Sequence, residues 1–110
     1  MPLSKRARIE VYLPERRKPN YRRLQKAIER EFLETFGGCT VIRNIKGLYL
    51  SSEAKADFDK IDLVYADTPF DFDKNLSAIS KYADELRAAA LEVTEEESLL
   101  IVVHGIYHSV

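Results

Sequence analysis

Several kinds of residue and pattern are scarce in this chain, and each scarcity closes a class of explanation. There is one cysteine, Cys39, in 110 residues, so no intrachain disulfide can staple the fold. One thiol and two histidines supply no metal motif, and none is expected. Tryptophan is absent, and glycine and proline number four each, too few for a low-complexity or linker segment. The formal charge is −1, so no global field draws the chain to nucleic acid or to an anionic membrane. Any basic site must be local. The longest continuous apolar run, Leu99 to Val103, is five residues, which is strand length and far short of the ~20 a membrane helix needs. The opening MPLSKRARIE has no apolar stretch of signal-peptide length, so the expected compartment is the reducing cytoplasm.

What is present is globular. Hydrophobic residues make up 45% and charged residues 32%, and the length suits one domain spanning 1–110. Ile9, Val11 and Leu13 alternate with Arg8, Glu10 and Tyr12, the period of a half-buried strand. Beyond the charged loop between Pro14 and Pro19, Asn20 is placed to cap a helix. In it Tyr21, Leu24, Ile28, Phe32 and Phe36 form one apolar stripe, and Gly37-Gly38 ends it. Thr40 to Leu50 reads as a second strand, with a bulge expected around Asn44 and Gly47. A turn over Ser51 to Asp57 leads to a third strand, Phe58 to Ala66, in which Ile61, Leu63 and Tyr65 alternate with Lys60, Asp62 and Val64. Asp67 to Phe72, interrupted by Pro69, reads as loop. Asp73 is the expected cap of a second helix running to about Val93, with Leu76, Ile79, Ala83, Leu86 and Ala90 as its buried stripe. Leu99 to Tyr107 is the last strand.

The order strand, helix, strand, strand, helix, strand predicts an α+β sandwich: a four-stranded antiparallel sheet with two helices on one face. The layout resembles the ferredoxin-like superfamily over essentially the whole chain. Phe36-Gly37-Gly38-Cys39-Thr40-Val41, together with Glu97-Ser98-Leu99-Leu100, is similar to a bacterial family of unknown function. Neither resemblance carries a catalytic residue across. Acylphosphatases share the topology and hold phosphate at a glycine-rich first loop, whereas this chain has no glycine between Pro14 and Asn20.

Three sets of residues are candidates for function, and two further features are set aside. Arg16, Arg17, Lys18 and Arg22, extended by Arg23 and Lys26, surround the start of the first helix, where free N–H groups favour an anion. Against that stands the ordinary role of such a run as a solvated loop. His104 and His108 on the last strand, with Tyr107, Tyr12 and Tyr65 as possible neighbours, are the acid–base candidates. Four residues of strand separate the two histidines by about 13 Å, so they cannot share a metal. The last strand is apolar on both faces. With Leu99, Ile101 and Val103 toward the helices, Leu100, Val102, His104 and Ile106 fall on the open side, and a second subunit is the simplest cover. Leu100, Val102 and Ile106 are therefore interface candidates. Beside them the open face is expected to show Arg8, Glu10 and Tyr12 next to Lys60 and Asp62, a salt-bridged surface unlike the aromatic platform of an RNA-recognition domain. Finally, Asp71-Phe72-Asp73-Lys74-Asn75 lacks the glycine and the acid that a calcium loop requires, and Cys39 has no adjacent histidine to activate it.

No phosphate loop, dinucleotide fingerprint or zinc motif is present, and no cofactor is implied. The leading reading is a non-catalytic homo-oligomeric module, expected as a homodimer, that binds a small ligand or a protein. An alternative is a small enzyme of the dimeric α+β barrel kind with a cavity near His104. A third is phosphate or nucleic-acid binding through the Arg16 to Lys26 cluster, although the charge balance makes nucleic acid the less expected partner.

Overall fold

The alternating residues around Ile9 build the strand at the centre of the molecule. The computed structural model describes residues 4–14, 19–50, 56–94 and 99–108. Its elements are β1 (Ser4–Pro14), α1 (Pro19–Phe36), β2 (Thr40–Leu50), β3 (Ala56–Asp71), α2 (Leu76–Thr94) and β4 (Leu100–His108). The strands form one antiparallel sheet in the order β2-β3-β1-β4, and both helices pack on one face. This is the ferredoxin-like α+β sandwich. No helix among the described residues is long and apolar enough to cross a membrane.

β1 points Ala7, Ile9, Val11 and Leu13 at the helices, each at most 1% exposed. Val64 and Ala66 of β3 lie beside them, and Ile101 and Val103 of β4 flank the cluster. α1 lays Leu24, Ile28 and Phe32 over this floor, and α2 adds Ile79 and Ala90. Burying each large side chain of this kind contributes about 1.5–3 kcal/mol. Gly37 ends α1 in the left-handed region, φ 86°, and its N–H reaches the Leu33 carbonyl at 3.0 Å. A residue with a Cβ would resist that conformation. Phe36 then packs its ring edgewise on Tyr82 of α2, with centroids 5.5 Å apart, and the Tyr82 hydroxyl donates to Glu31 Oε1 at 2.9 Å.

Several local expectations are corrected. The β2 bulge falls at Arg43 and Asn44, where the register shifts between Ile42↔Leu63 and Ile45↔Ile61. Asn44 takes φ 61°, while Gly47 pairs regularly with Asp59. Asparagine tolerates the left-handed region better than most residues, and here its N–H is satisfied by Asp62 Oδ1 at 3.1 Å. β3 does not stop at Ala66 but runs on through Pro69 to Asp71. Proline is tolerated because a second irregularity, between Arg6↔Asp71 and Arg8↔Asp67, takes up extra β3 residues opposite Ala7. The fully buried Thr68 donates its hydroxyl to the Ala7 carbonyl at 2.9 Å and accepts the Phe70 N–H, replacing ladder bonds that the irregular segment lacks.

α2 consequently starts later than expected. Asp71 Oδ1 accepts the Lys74 N–H, and the Asn75 carbonyl accepts the first helical N–H, from Ile79, so Asn75 rather than Asp73 is the cap. Asp73 instead faces Lys5, whose Nζ is 3.4 Å away. Leu76, in the first turn, is 46% exposed rather than buried.

The largest inward change is at β3. Register with β1 places Val64, Ala66 and Asp62 on the helix side, and Ile61, Leu63, Tyr65 and Asp67 on the open side, the reverse of the expected parity. Both sets contain apolar residues. The helices select the set with the smaller side chains, Val64 and Ala66, which let α1 come close. Asp62 is buried because its carboxylate ends the bulge.

Two measurements check this packing. Phe32→Ala should cost about 3–5 kcal/mol, read as a lowered midpoint in chemical denaturation. Burial first, then the bond to Glu31, holds the Tyr82 phenol well above the ordinary tyrosine range, and Tyr12 is raised for the same reasons, with Glu10 as its partner. A phenol shifted upward on folding contributes stability that is complete below its unfolded value of about 10 and is lost as pH rises further. Near-ultraviolet titration should therefore show a tyrosine fraction that ionises late, only as the fold opens. Tyr82→Phe should reduce that fraction and leave the remaining tyrosines unchanged.

Candidate functional site

The open face of the sheet gathers most of the residues with chemical potential. From β1 it takes Arg8, Glu10 and Tyr12. The register sets them beside Asp67, Tyr65 and Leu63 of β3 and beside His104, Val102 and Leu100 of β4. Arg8 is held twice. Its Nη2 donates to Asp67 Oδ2 at 3.0 Å while Nε donates to Oδ1, a bidentate pair of the stronger kind. Its guanidinium also lies over the Tyr65 ring, 4.3 Å from the centroid. The bond to Asp67 outweighs desolvation and raises the Arg8 pKa further. The Tyr12 hydroxyl donates to Glu10 Oε1 at 3.1 Å. His104 Nε2 is buried 3.3 Å from Glu10 Oε2, in a contact not aligned as a hydrogen bond.

Apolar residues frame this polar centre. Leu100 is 58% and Ile42 43% exposed, and Ile61, Val102 and Ile106 are half-buried. The β2 bulge matters here. It consumes two residues opposite Asp62, so Ile45 joins Ile42 on the open face, where unbroken alternation would have turned it to the helix side.

The candidates therefore separate. His104 and Tyr12 share a face and a carboxylate. Tyr107 pairs with Lys5 on the opposite parity and is 66% exposed, so it is not part of that group. His108 pairs through its backbone with Ser4, and its side chain lies outside the described residues, as do Arg16, Arg17 and Lys18. Arg22 lies on α1, beside Lys26 at the wall of a cleft facing β2. Among the described residues, the apolar hollows between sheet and helices are not next to His104. They are lined by Ile9, Phe36 and Ile79 and by Leu24, Ile28 and Leu86, across the sheet from the histidine. Cys39 is exposed and its thiol is raised by burial and by Glu29, the opposite of nucleophile activation. Among the described residues no group of His, Cys, Asp and Glu is arranged to hold a metal.

Lys60 and Asp62, expected on the open face, are on the helix side, and Arg8 pairs with Asp67 instead. The face is thus more aromatic than its sequence suggests, with Tyr12 and Tyr65 on the two central strands. Yet Arg8 covers the Tyr65 ring and Glu10 and Asp67 are acidic, so it presents no free basic platform for stacked bases.

No family model matches the chain, and no curated protein matches it. Thirteen solved chains match its fold. One is CutA1 from Oryza sativa, with a TM-score of 0.58 and 18% identity over 97% of this chain and 84% of that one. Another is CPII from Thiomonas intermedia K12, bound to ADP, AMP and acetate, with a TM-score of 0.49 and 20% identity over 99% of this chain and 93% of that one. At such identities the likeness to CutA1 shows a shared fold, and it extends the ferredoxin-like architecture across nearly the whole chain.

Proposed function

We propose that this chain is a non-catalytic homo-oligomeric binding module, assembled through the open face of its sheet. The observation that supports this reading most directly is the arrangement of charge there. Arg8, Asp67, Glu10 and Tyr12 are satisfied by one another within the face, while Leu100, Val102, Ile106, Ile42 and Ile45 surround them. Burying a charge costs several kcal/mol unless it is already paired. A surface that pairs Arg8 with Asp67, gives the Glu10 carboxylate a hydroxyl donor and keeps an apolar margin is suited to lose much of its water.

The occupant is a second copy of the same chain. Arg8 and Asp67 cancel, which lessens the repulsion between like faces. A two-fold axis along the strands sets β4 of one copy over β2 of the other and preserves the level along the strands, so Leu100, which shares a row with Tyr12, Leu63 and Ile42, lies over Ile42 of the second copy, and Val102 lies over its Thr40. Four strands about 4.8 Å apart and some nine residues long give a face of roughly 20 by 30 Å. With its corrugation, that approaches the ~800 Å² per partner of an ordinary stable interface. Two copies face to face are the smallest closed arrangement.

Light scattering on the eluting protein at micromolar concentration should give a mass of two or more chains. Leu100→Glu and Ile42→Glu each bury an unpaired carboxylate at a cost of about 3–5 kcal/mol. Either should shift the mass to a single chain while far-ultraviolet circular dichroism stays unchanged. A single-chain mass for the unaltered protein would overturn the reading.

A further inference from the structure

A second site lies on the other side of the sheet and is independent of the assembly just proposed. A cleft of 380 Å³ opens between α1 and the bulge of β2, within the size range of small-molecule sites. α1 supplies Arg22, Gln25, Lys26 and Glu29, at spacings that place them on one helix face. Facing them are Arg43 and Asn44 from the bulge, with Asp62 of β3 at the floor.

Two independent features mark this cleft as built for a ligand. The first is cationic. Arg22, Lys26 and Arg43 approach from two elements, and none forms an ion pair with a described residue. The second is Gln25. It is 5% exposed and lines the cleft, yet its carboxamide has no hydrogen-bond partner among the described residues. The amide atoms reach the open space of the cleft, so their donors and acceptor face whatever fills it. The bulge adds rigidity. Asp62 holds the Asn44 N–H at 3.1 Å, which fixes the left-handed residue and with it the backbone that carries Arg43.

We propose that this cleft binds a small phosphorylated molecule of sugar-phosphate size. Arg22, Lys26 and Arg43 converge on the phosphate oxygens, the geometry in which guanidinium groups are most effective. Gln25 bonds the body of the ligand, and the Glu29 carboxylate accepts from its hydroxyl groups. The acidic residues at one wall and the enclosed volume favour a compact ligand over a nucleic-acid strand, whose backbone would meet Glu29 and Asp62 as like charges.

Titration calorimetry of the full chain tests the site with ribose 5-phosphate, inorganic phosphate, ribose and a single-stranded oligonucleotide. Saturable binding of ribose 5-phosphate at one site per chain is expected, weaker binding of inorganic phosphate, and none of ribose. Removing one charged hydrogen-bonding partner, in Arg43→Ala or Lys26→Ala, should weaken ribose 5-phosphate about ten- to hundredfold. Gln25→Met, nearly isosteric, should weaken it about three- to tenfold without lowering the melting temperature, because the unbonded amide contributes nothing to the unliganded fold. The proposal is overturned if neither phosphate compound binds at millimolar concentration, or if Arg43→Ala and Lys26→Ala bind unchanged. It is equally overturned if the oligonucleotide binds more tightly than ribose 5-phosphate with a steep salt dependence.

Discussion

Everything in this structure depends on burying one strand completely. β1 is bonded along both edges, to β3 and to β4, and its inward residues have lost essentially all contact with water. Because it is bonded on both sides, β3 and β4 must lie next to it, which leaves β2 at the margin beyond β3. Both helices must then cross the same face to cover Ala7, Ile9, Val11 and Leu13. Topology, layer order and the two edges of the sheet all follow from that burial, and so does an open face that the two helices leave uncovered.

The irregularities are where polar chemistry enters this scheme. Each bulge interrupts the ladder and leaves backbone groups that need partners, and each is closed by a buried polar side chain from β3. Asp62 takes the Asn44 N–H, and Thr68 serves both Ala7 and Phe70. A buried group left unpaired costs about 1–3 kcal/mol, so these two residues set the bulges as firmly as apolar packing sets the strands. The bulges also redistribute faces. One keeps Ile42 and Ile45 together on the open side, and the other carries β3 past a proline so that Asp67 meets Arg8.

This explains which parts of the molecule were legible in its sequence. Periodic elements with one apolar face were read well: β1, the stripe of α1 and its end at Gly37 follow from residue spacing and glycine's freedom at positive φ. The sides of β4 were open in its sequence, which is apolar on both faces; the structure sets Leu99, Ile101 and Val103 at the core cluster or its margin and His104 beside Glu10 on the open face. β3 was not legible in this way. Its two parities are both partly apolar, and the choice between them depends on how close the helices come, a property of the assembled layer. Pro69 concealed the end of the strand, since the Thr68 hydroxyl that makes a proline tolerable there acts across a distance in sequence. Asp67 and Gln25 were missed for a related reason: nothing local to either residue distinguishes it, and each acquires its role from an element far along the chain.

α1 joins the two consequences of this architecture. It turns Leu24, Ile28 and Phe32 to the core, and on an adjacent strip of the same cylinder it carries Arg22, Gln25, Lys26 and Glu29. Sitting mainly over β3, it leaves β2 without full cover, and the polar strip faces the gap. Had α1 lain farther across, β2 would have been an ordinary covered edge strand, with its helix-facing residues in the core and no cleft. Had β2 been regular, Ile45 would face the helices and Arg43 would have no bulge to hold it. The off-centre helix and the bulge are therefore complementary. One makes a cleft on the inner side of β2, and the other furnishes it while keeping both isoleucines on the outer side, so a single edge strand presents an apolar margin in one direction and a cationic wall in the other.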